Sequence, residues 1–320
     1  MAEERRTLSR PRSATAYARL FLTGCAMGAA DLVPGVSGGT MAFVTGVYQD
    51  LLDGLRAFNL EALRLALRLR LGALERQIPL RFLLTLWLGI LTAIFGLAGF
   101  LSGTLEDPVG RVHLFAFFFG LVLASILAVG AHLRRSPATA TALLAGALVA
   151  FAVVNLVPAS AEATTVNLFV AGMVAICAMI LPGISGSFIL LILGQYDQVL
   201  RAASERDFGT LLTVAAGSVV GIVIFSRLLG WLLRNRPQTT IATLVGFMIG
   251  SLWKIWPWKT CVASDLDRHG DFRCFRCLQE ANLAPQAETL WPALLLLLAG
   301  FAAVTVFSRY ARRAEAGAPV

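Results

Sequence analysis

Charge is scarce in this sequence. Only 14% of its 320 residues are Asp, Glu, Lys or Arg, against roughly 25% in an ordinary soluble domain, whereas 57% are hydrophobic. A chain so short of polar groups cannot cover a water-soluble globule. Histidine is scarcer still, with only His113, His132 and His269. Neither a paired-carboxylate cluster nor a nucleophile elbow accompanies them, which argues against hydrolytic chemistry and against an enzyme of any kind. The glycine-rich stretches lack the GK[ST] ending of a P-loop and the strand context of a dinucleotide fingerprint. No clean apolar stretch with a small-residue cleavage site follows the arginine-bearing start (Arg5, Arg6, Arg10, Arg12, Arg19), so no removed signal peptide is expected. No cofactor is expected either.

What is abundant is apolar sequence in runs of about 20 residues, the length an α-helix needs to cross hydrocarbon; barrel strands would instead alternate over about 10. The class is all-α and polytopic. The net charge of +8 lies mainly between these runs, where it orients the chain, and implies no nucleic-acid partner. Six ordinary spans are expected, at 82–101, 112–133, 138–157, 211–233, 239–256 and 290–307. Two further stretches, 19–52 and 166–200, are too long for one span and too short for two. Each is broken by Pro-Gly and small polar residues and is expected to form a broken or re-entrant helical hairpin.

Those two stretches are copies of one another. LVPGVSGGTMAFVTGVYQDLL at Leu32–Leu52 aligns without gaps on ILPGISGSFILLILGQYDQVL at Ile180–Leu200, 148 residues further on. Downstream, Gly120–Ser125 resembles Gly246–Ser251. The expected organisation is a tail at 1–18, a first repeat at 19–157 with an amphipathic surface segment at 60–77, a second repeat at 166–308, and a tail at 309–320. Each repeat is a hairpin plus three spans. That odd number of crossings inverts the second copy. The arginines at 54–81, 134–135, 234–236 and 309–313 then fall on one side, the cytosol by the positive-inside rule, with both termini there and the loop 257–289 outside.

Chemistry is expected at the two breaks. In Pro34-Gly35-Val36-Ser37-Gly38-Gly39-Thr40 and Pro182-Gly183-Ile184-Ser185-Gly186-Ser187, proline removes a backbone donor and glycine permits positive φ. Each helix stops and restarts, presenting N–H groups and the positive end of its dipole beside serine and threonine hydroxyls, the form of an anion site. Two inverted copies can meet at mid-membrane and hold one ligand from both sides. The plainer reading is that proline and small residues serve kinks and close packing. Asp31 either couples transport to a proton or cation or caps the adjoining half-helix, and Asp50 and Asp197 lie past the tyrosines that follow each break. Arg227 either neutralises a bound anion or snorkels to the interface. Cys261, Cys274 and Cys277 share the outer loop, where a disulfide joining Cys261 to Cys274 or Cys277 is expected ahead of a metal site including His269 or free thiols; no metal is expected.

At Ala30–Leu52 (ADLVPGVSGGTMAFVTGVYQDLL) and Met179–Leu200 (MILPGISGSFILLILGQYDQVL) the chain resembles the polyprenyl-phosphate (undecaprenyl-phosphate) transporter family, formerly a domain of unknown function. The resemblance implies a translocase of the inner membrane that returns the lipid carrier phosphate across the bilayer for envelope synthesis. Its partners would be the polyprenyl-phosphate lipid, surrounding membrane lipids and a coupling proton or cation. A secondary transporter for a small soluble anion is the alternative, distinguished by a cavity closed to lipid. A phosphatase acting on the diphosphate carrier would need a nucleophile or acid that the sequence does not show.

Overall fold

The computed structural model describes residues 13–316 apart from 34, 59, 69, 157–161 and 267–271. Its elements are α1 (Ala14–Asp31), α2 (Gly38–Val44), α3 (Tyr48–Arg56), α4 (Leu60–Leu67), α5 (Leu71–Gln77), α6 (Leu80–Glu106), α7 (Pro108–Gly130), α8 (Pro137–Val154), α9 (Thr165–Ile180), α10 (Gly186–Ile192), α11 (Tyr196–Glu205), α12 (Phe208–Asn235), α13 (Pro237–Ser251), β1 (Lys259–Leu266), β2 (Phe272–Asn282) and α14 (Ala287–Ala316). Helices α6, α7, α8, α12 and α14 are each long and apolar enough to cross a membrane. The chain is an all-α polytopic membrane protein with one β-hairpin added.

Helix starts follow local chemistry. Asp107 accepts from the Gly110 N–H ahead of Pro108, and Ser136 and Thr139 form a capping box ahead of Pro137. In both, proline sits where its missing donor costs nothing. Asp207 accepts from Gly209 and Thr210 at the start of α12. Between helices, glycine sets the spacing. In each of four pairs a Cβ added to a glycine of one helix would strike a backbone carbonyl of the other, in both directions: Gly24 and Gly89 join α1 to α6, Gly172 and Gly217 join α9 to α12, Gly120 and Gly300 join α7 to α14, and Gly146 and Gly246 join α8 to α13. This is the small-residue packing that binds helices in lipid, where no hydrophobic drive operates between them. The first two pairs lie within one half of the chain; the last two cross between halves. Outward faces carry large apolar side chains, Phe95 being 82% exposed.

At each break one helix stops and another starts, α1 giving way to α2 and α9 to α10. In the second, Gly186 at the start of α10 lies against the Ala175 carbonyl and the Met179 side chain of α9, so the chain has doubled back along the helix it just left. The expected amphipathic segment is two short helices, α4 and α5, with Ala62 and Leu74 buried. The stretch expected as a span at 239–256 forms a helix of 15 residues, α13, roughly 22 Å long. Its end turns where Ser251 Oγ donates to the Met248 carbonyl at 2.8 Å, beside Gly183 of the second break.

Within the stretch expected as a loop at 257–289, two strands form. β1 and β2 pair antiparallel, with Lys259 opposite Asn282. The hairpin is pinned to the bundle by Trp258 Nε1 donating to Thr289 Oγ1 at 2.9 Å and by Asn282 Nδ2 donating to the Trp253 carbonyl at 3.0 Å.

Candidate functional site

Each break uses glycine where the backbone turns left-handed. Gly35 has φ +87° and Gly183 φ +92°, while Gly46 and Gly194, closing the short helices α2 and α10, have φ +82° and +68°. These positions correspond in the two copies, so the repeated glycines encode one repeated backbone path. Pro34 lies outside the described residues; Pro182, Val36 and Ile184 are buried.

The two tips touch. Ser37 Oγ is placed to donate to the carbonyls of Leu181 at 3.2 Å and Met179 at 3.4 Å. Tyr48 OH donates to the Ile180 carbonyl at 3.0 Å. In the other direction the Gly183 N–H donates to Thr40 Oγ1 at 3.0 Å. Gly39 allows the approach, because a Cβ there would lie 2.9 Å from the Ile180 carbonyl oxygen and 3.1 Å from that of Met179. Ser37 is 1% exposed and Thr40 fully buried.

The first tip therefore spends its polar groups internally. The Gly38 N–H donates to Asp31 Oδ1 at 2.7 Å and the Gly39 N–H to Ser37 Oγ at 3.1 Å. Asp31 thus caps α2, as one reading of the sequence held. The second tip differs. Met179 stands at the place of Asp31 and Phe188 at that of Thr40, and α10 has no side-chain cap. The hydroxyls of Ser185 and Ser187 are 2.8 Å apart, and Ser187 is exposed. Of the donors expected at the breaks, those of the second tip are the more available. Asp50 and Asp197 stand in the first turns of α3 and α11, where a carboxylate suits the helix dipole. Arg227 is exposed on α12, beside the buried Ser226. Cys261 lies in β1 and Cys274 and Cys277 in β2; their side chains, His269 and any bridge or metal fall outside what is described. Among the described residues no group of three or more His, Cys, Asp or Glu is placed to hold a metal.

One charged group at the tips escaped the sequence reading. Glu280 Oε2 of β2 lies 3.0 Å from Lys254 Nζ and 3.1 Å from Lys259 Nζ. Lys259 also donates to the Lys254 carbonyl and sits over the Phe115 ring, 4.3 Å from its centroid. Lys254 reaches both tips: its ammonium lies 4.8 Å from the Phe188 ring centroid, and a Cβ on Gly35 would meet its Cγ at 2.8 Å. Burial pushes the Lys259 ammonium down to about 8, Lys254 and Arg111 adding to the effect and Glu280 opposing it. Burial would raise Glu280, yet the two ammoniums outweigh it and hold its carboxyl below the usual range. A compositional signal was present: Lys254 and Lys259 are the only lysines in a chain whose other basic residues are all arginine.

A profile described as undecaprenyl phosphate translocase-like matches residues 27–273. A polyprenyl-phosphate transporter of Vibrio cholerae serotype O1 is 40% identical over 306 residues, covering 93% of this chain and 98% of that protein. A polyprenyl-phosphate transporter of Staphylococcus aureus is 31% identical over 260 residues, covering 74% of this chain and 85% of its own. No solved structure matches the chain.

Proposed function

Since the chain belongs to the undecaprenyl phosphate translocase-like family, we propose that it carries a polyprenyl phosphate, undecaprenyl phosphate being the expected form, between the leaflets of the cytoplasmic membrane and so returns the carrier for envelope synthesis. It is a transporter and not an enzyme: no bond is made or broken. The obstacle to this traffic is the headgroup, because an ionised phosphate in hydrocarbon faces a desolvation cost of tens of kcal/mol. The observation that carries the reading is the meeting of two helix breaks, with Ser37, Thr40 and Tyr48 bonded across to residues 180–183. Helices that stop in mid-bundle supply polar backbone where unbroken spans supply none.

The division between the tips suggests their roles. The first braces the second, and the second offers Ser185, Ser187 and the start of α10 to the phosphate, while the prenyl tail stays in lipid along the apolar outer faces. The two halves lie inverted in the bilayer, both termini face the cytosol, and the β-hairpin faces outward. Asp31, the carboxylate at the tips, is the group through which a proton or cation would couple, and Arg227 a charge met along the path. Proteoliposomes carrying labelled undecaprenyl phosphate test the reading: wild-type protein should equilibrate the label between leaflets, and Gly186→Leu, which drives bulk against the Ala175 carbonyl, should stop it. Transport of inorganic phosphate in place of the lipid would overturn it in favour of a soluble anion.

A further inference from the structure

The Lys254, Lys259 and Glu280 group has a charge imbalance in a place where charge is costly. Side-chain exposure is 15% for Lys254, 5% for Lys259 and 22% for Glu280. Two ammoniums share one carboxylate oxygen, leaving a net positive charge largely out of water, and Arg111 on α7 adds to the positive field at Lys259. A buried charge without full compensation is unfavourable.

We propose that Lys254 and Lys259 form a docking site for a phosphomonoester headgroup at the hairpin end of the two tips, and that Glu280 holds the anion's place until the phosphate displaces it. This rests on the transporter reading and names where the headgroup is received. Charge arithmetic selects the ligand class. A phosphomonoester carries about −1.5 to −2 at neutral pH, so in the place of Glu280 it balances both ammoniums, which a single carboxylate cannot do. Geometry agrees, since the ammoniums already converge on one oxygen, as they would on a phosphate oxygen. The surroundings suit a lipid rather than a free ion: Phe115 and Phe188 lie under the two ammoniums. From Lys254 the next contacts inward are Gly35 of the first tip and Phe188 of the second, so the docked head would already be at the breaks.

Purified full-length protein in detergent provides the test, with the tryptophans at 253, 256 and 258 as a built-in fluorescent reporter. Three probes are titrated: undecaprenyl phosphate, undecaprenol and inorganic phosphate. The phosphorylated lipid should change the emission, and undecaprenol should not. Lys254→Met and Lys259→Met should each raise the apparent Kd at least tenfold, Lys254→Arg should restore most of the affinity, and Glu280→Gln should lower the Kd several-fold by removing the competing carboxylate. If Glu280→Gln weakens binding as much as the methionine variants do, the group is a latch for the hairpin and the proposal fails. It fails too if well-folded lysine variants bind the lipid with wild-type affinity, or if inorganic phosphate binds in a lysine-dependent way and the lipid does not. Vesicle transport separates the two levels. Wild-type protein that moves no undecaprenyl phosphate overturns the transporter reading itself, whereas full transport by both methionine variants overturns only the docking site.

Discussion

The two tips share a motif and a backbone path but not a state of satisfaction. At the first, Asp31 and Ser37 absorb the N–H groups of α2, and Ser37, Thr40 and Tyr48 reach across to the second. At the second, methionine and phenylalanine replace Asp31 and Thr40, α10 begins without a side-chain cap, and Ser187 is exposed. The same backbone path thus carries two different sets of side chains, one bonded within the protein as a strut and one open, with a hydroxyl left at the surface. A buried polar group that is fully satisfied rigidifies its surroundings, and one with spare capacity is free for a ligand.

The comparison breaks most completely if the tips are forced apart. Gly39→Val places branched carbon against the Met179 and Ile180 carbonyls, an overpacking that costs about 1–3 kcal/mol or more with no flexible neighbour to yield. Loss of the monodisperse protein in size-exclusion chromatography, and loss of transport with it, is the expected result. A smaller change makes the first tip resemble the second. Asp31→Met deletes a hydrogen bond to a carboxylate and should cost about 1.5–3 kcal/mol, read as a fall in melting temperature; an unchanged melting temperature would show that the cap does not hold the strut.

Next come single hydroxyls, and here the tips should part ways. Tyr48→Phe and Thr40→Val should each lower stability by about 1 kcal/mol. Ser187→Ala, which loses an exposed hydroxyl's bond to Ser185, should lower stability less than either and weaken undecaprenyl phosphate binding by about 0.5–1.5 kcal/mol, up to roughly tenfold in Kd. Equal effects on stability from both sets would erase the distinction between strut and open tip.

The smallest effect is one of pH at Lys259, which faces Glu280 from β2, Lys254 from the turn after α13, and Arg111 and Phe115 from α7. Its folded value of about 8 lies below its ordinary 10.5. Between those values the unfolded chain binds more protons than the native one, so the contribution of this group to unfolding free energy rises with pH. Headgroup binding should move the other way, falling a few-fold as pH rises through about 8 and the ammonium loses its charge. Stability and binding that fall together over this window would show that another group controls both.

Much of this was legible in the sequence. Runs of apolar residues announced the membrane helices, and the repeated Pro-Gly and Gly-x-Tyr positions announced the breaks, because proline and glycine act on their own backbone. Which donors are consumed was not legible, since Ser37 and Thr40 are satisfied by residues more than 140 positions away. The hairpin carries little strand signature in the sequence: Phe272-Arg273-Cys274-Phe275-Arg276-Cys277 repeats every third residue instead of every second, and its pairing with β1 shifts register repeatedly. Glu280 meets its lysines only once that hairpin has folded, so no local pattern could reveal the charged group.

The glycine contacts that cross between halves also have a consequence in time. Helices α7 and α8 find their closest neighbours in α14 and α13, which leave the ribosome after them by roughly 4 to 30 seconds at about 5–20 residues per second. Until then the mid-chain helices wait in the bilayer with small-residue grooves facing lipid or a stand-in. Biogenesis is thus completed from the C-terminus. A ribosome that stalls before α14 leaves a groove on α7 unfilled, whereas the two halves made as separate chains should find each other through the same four glycines.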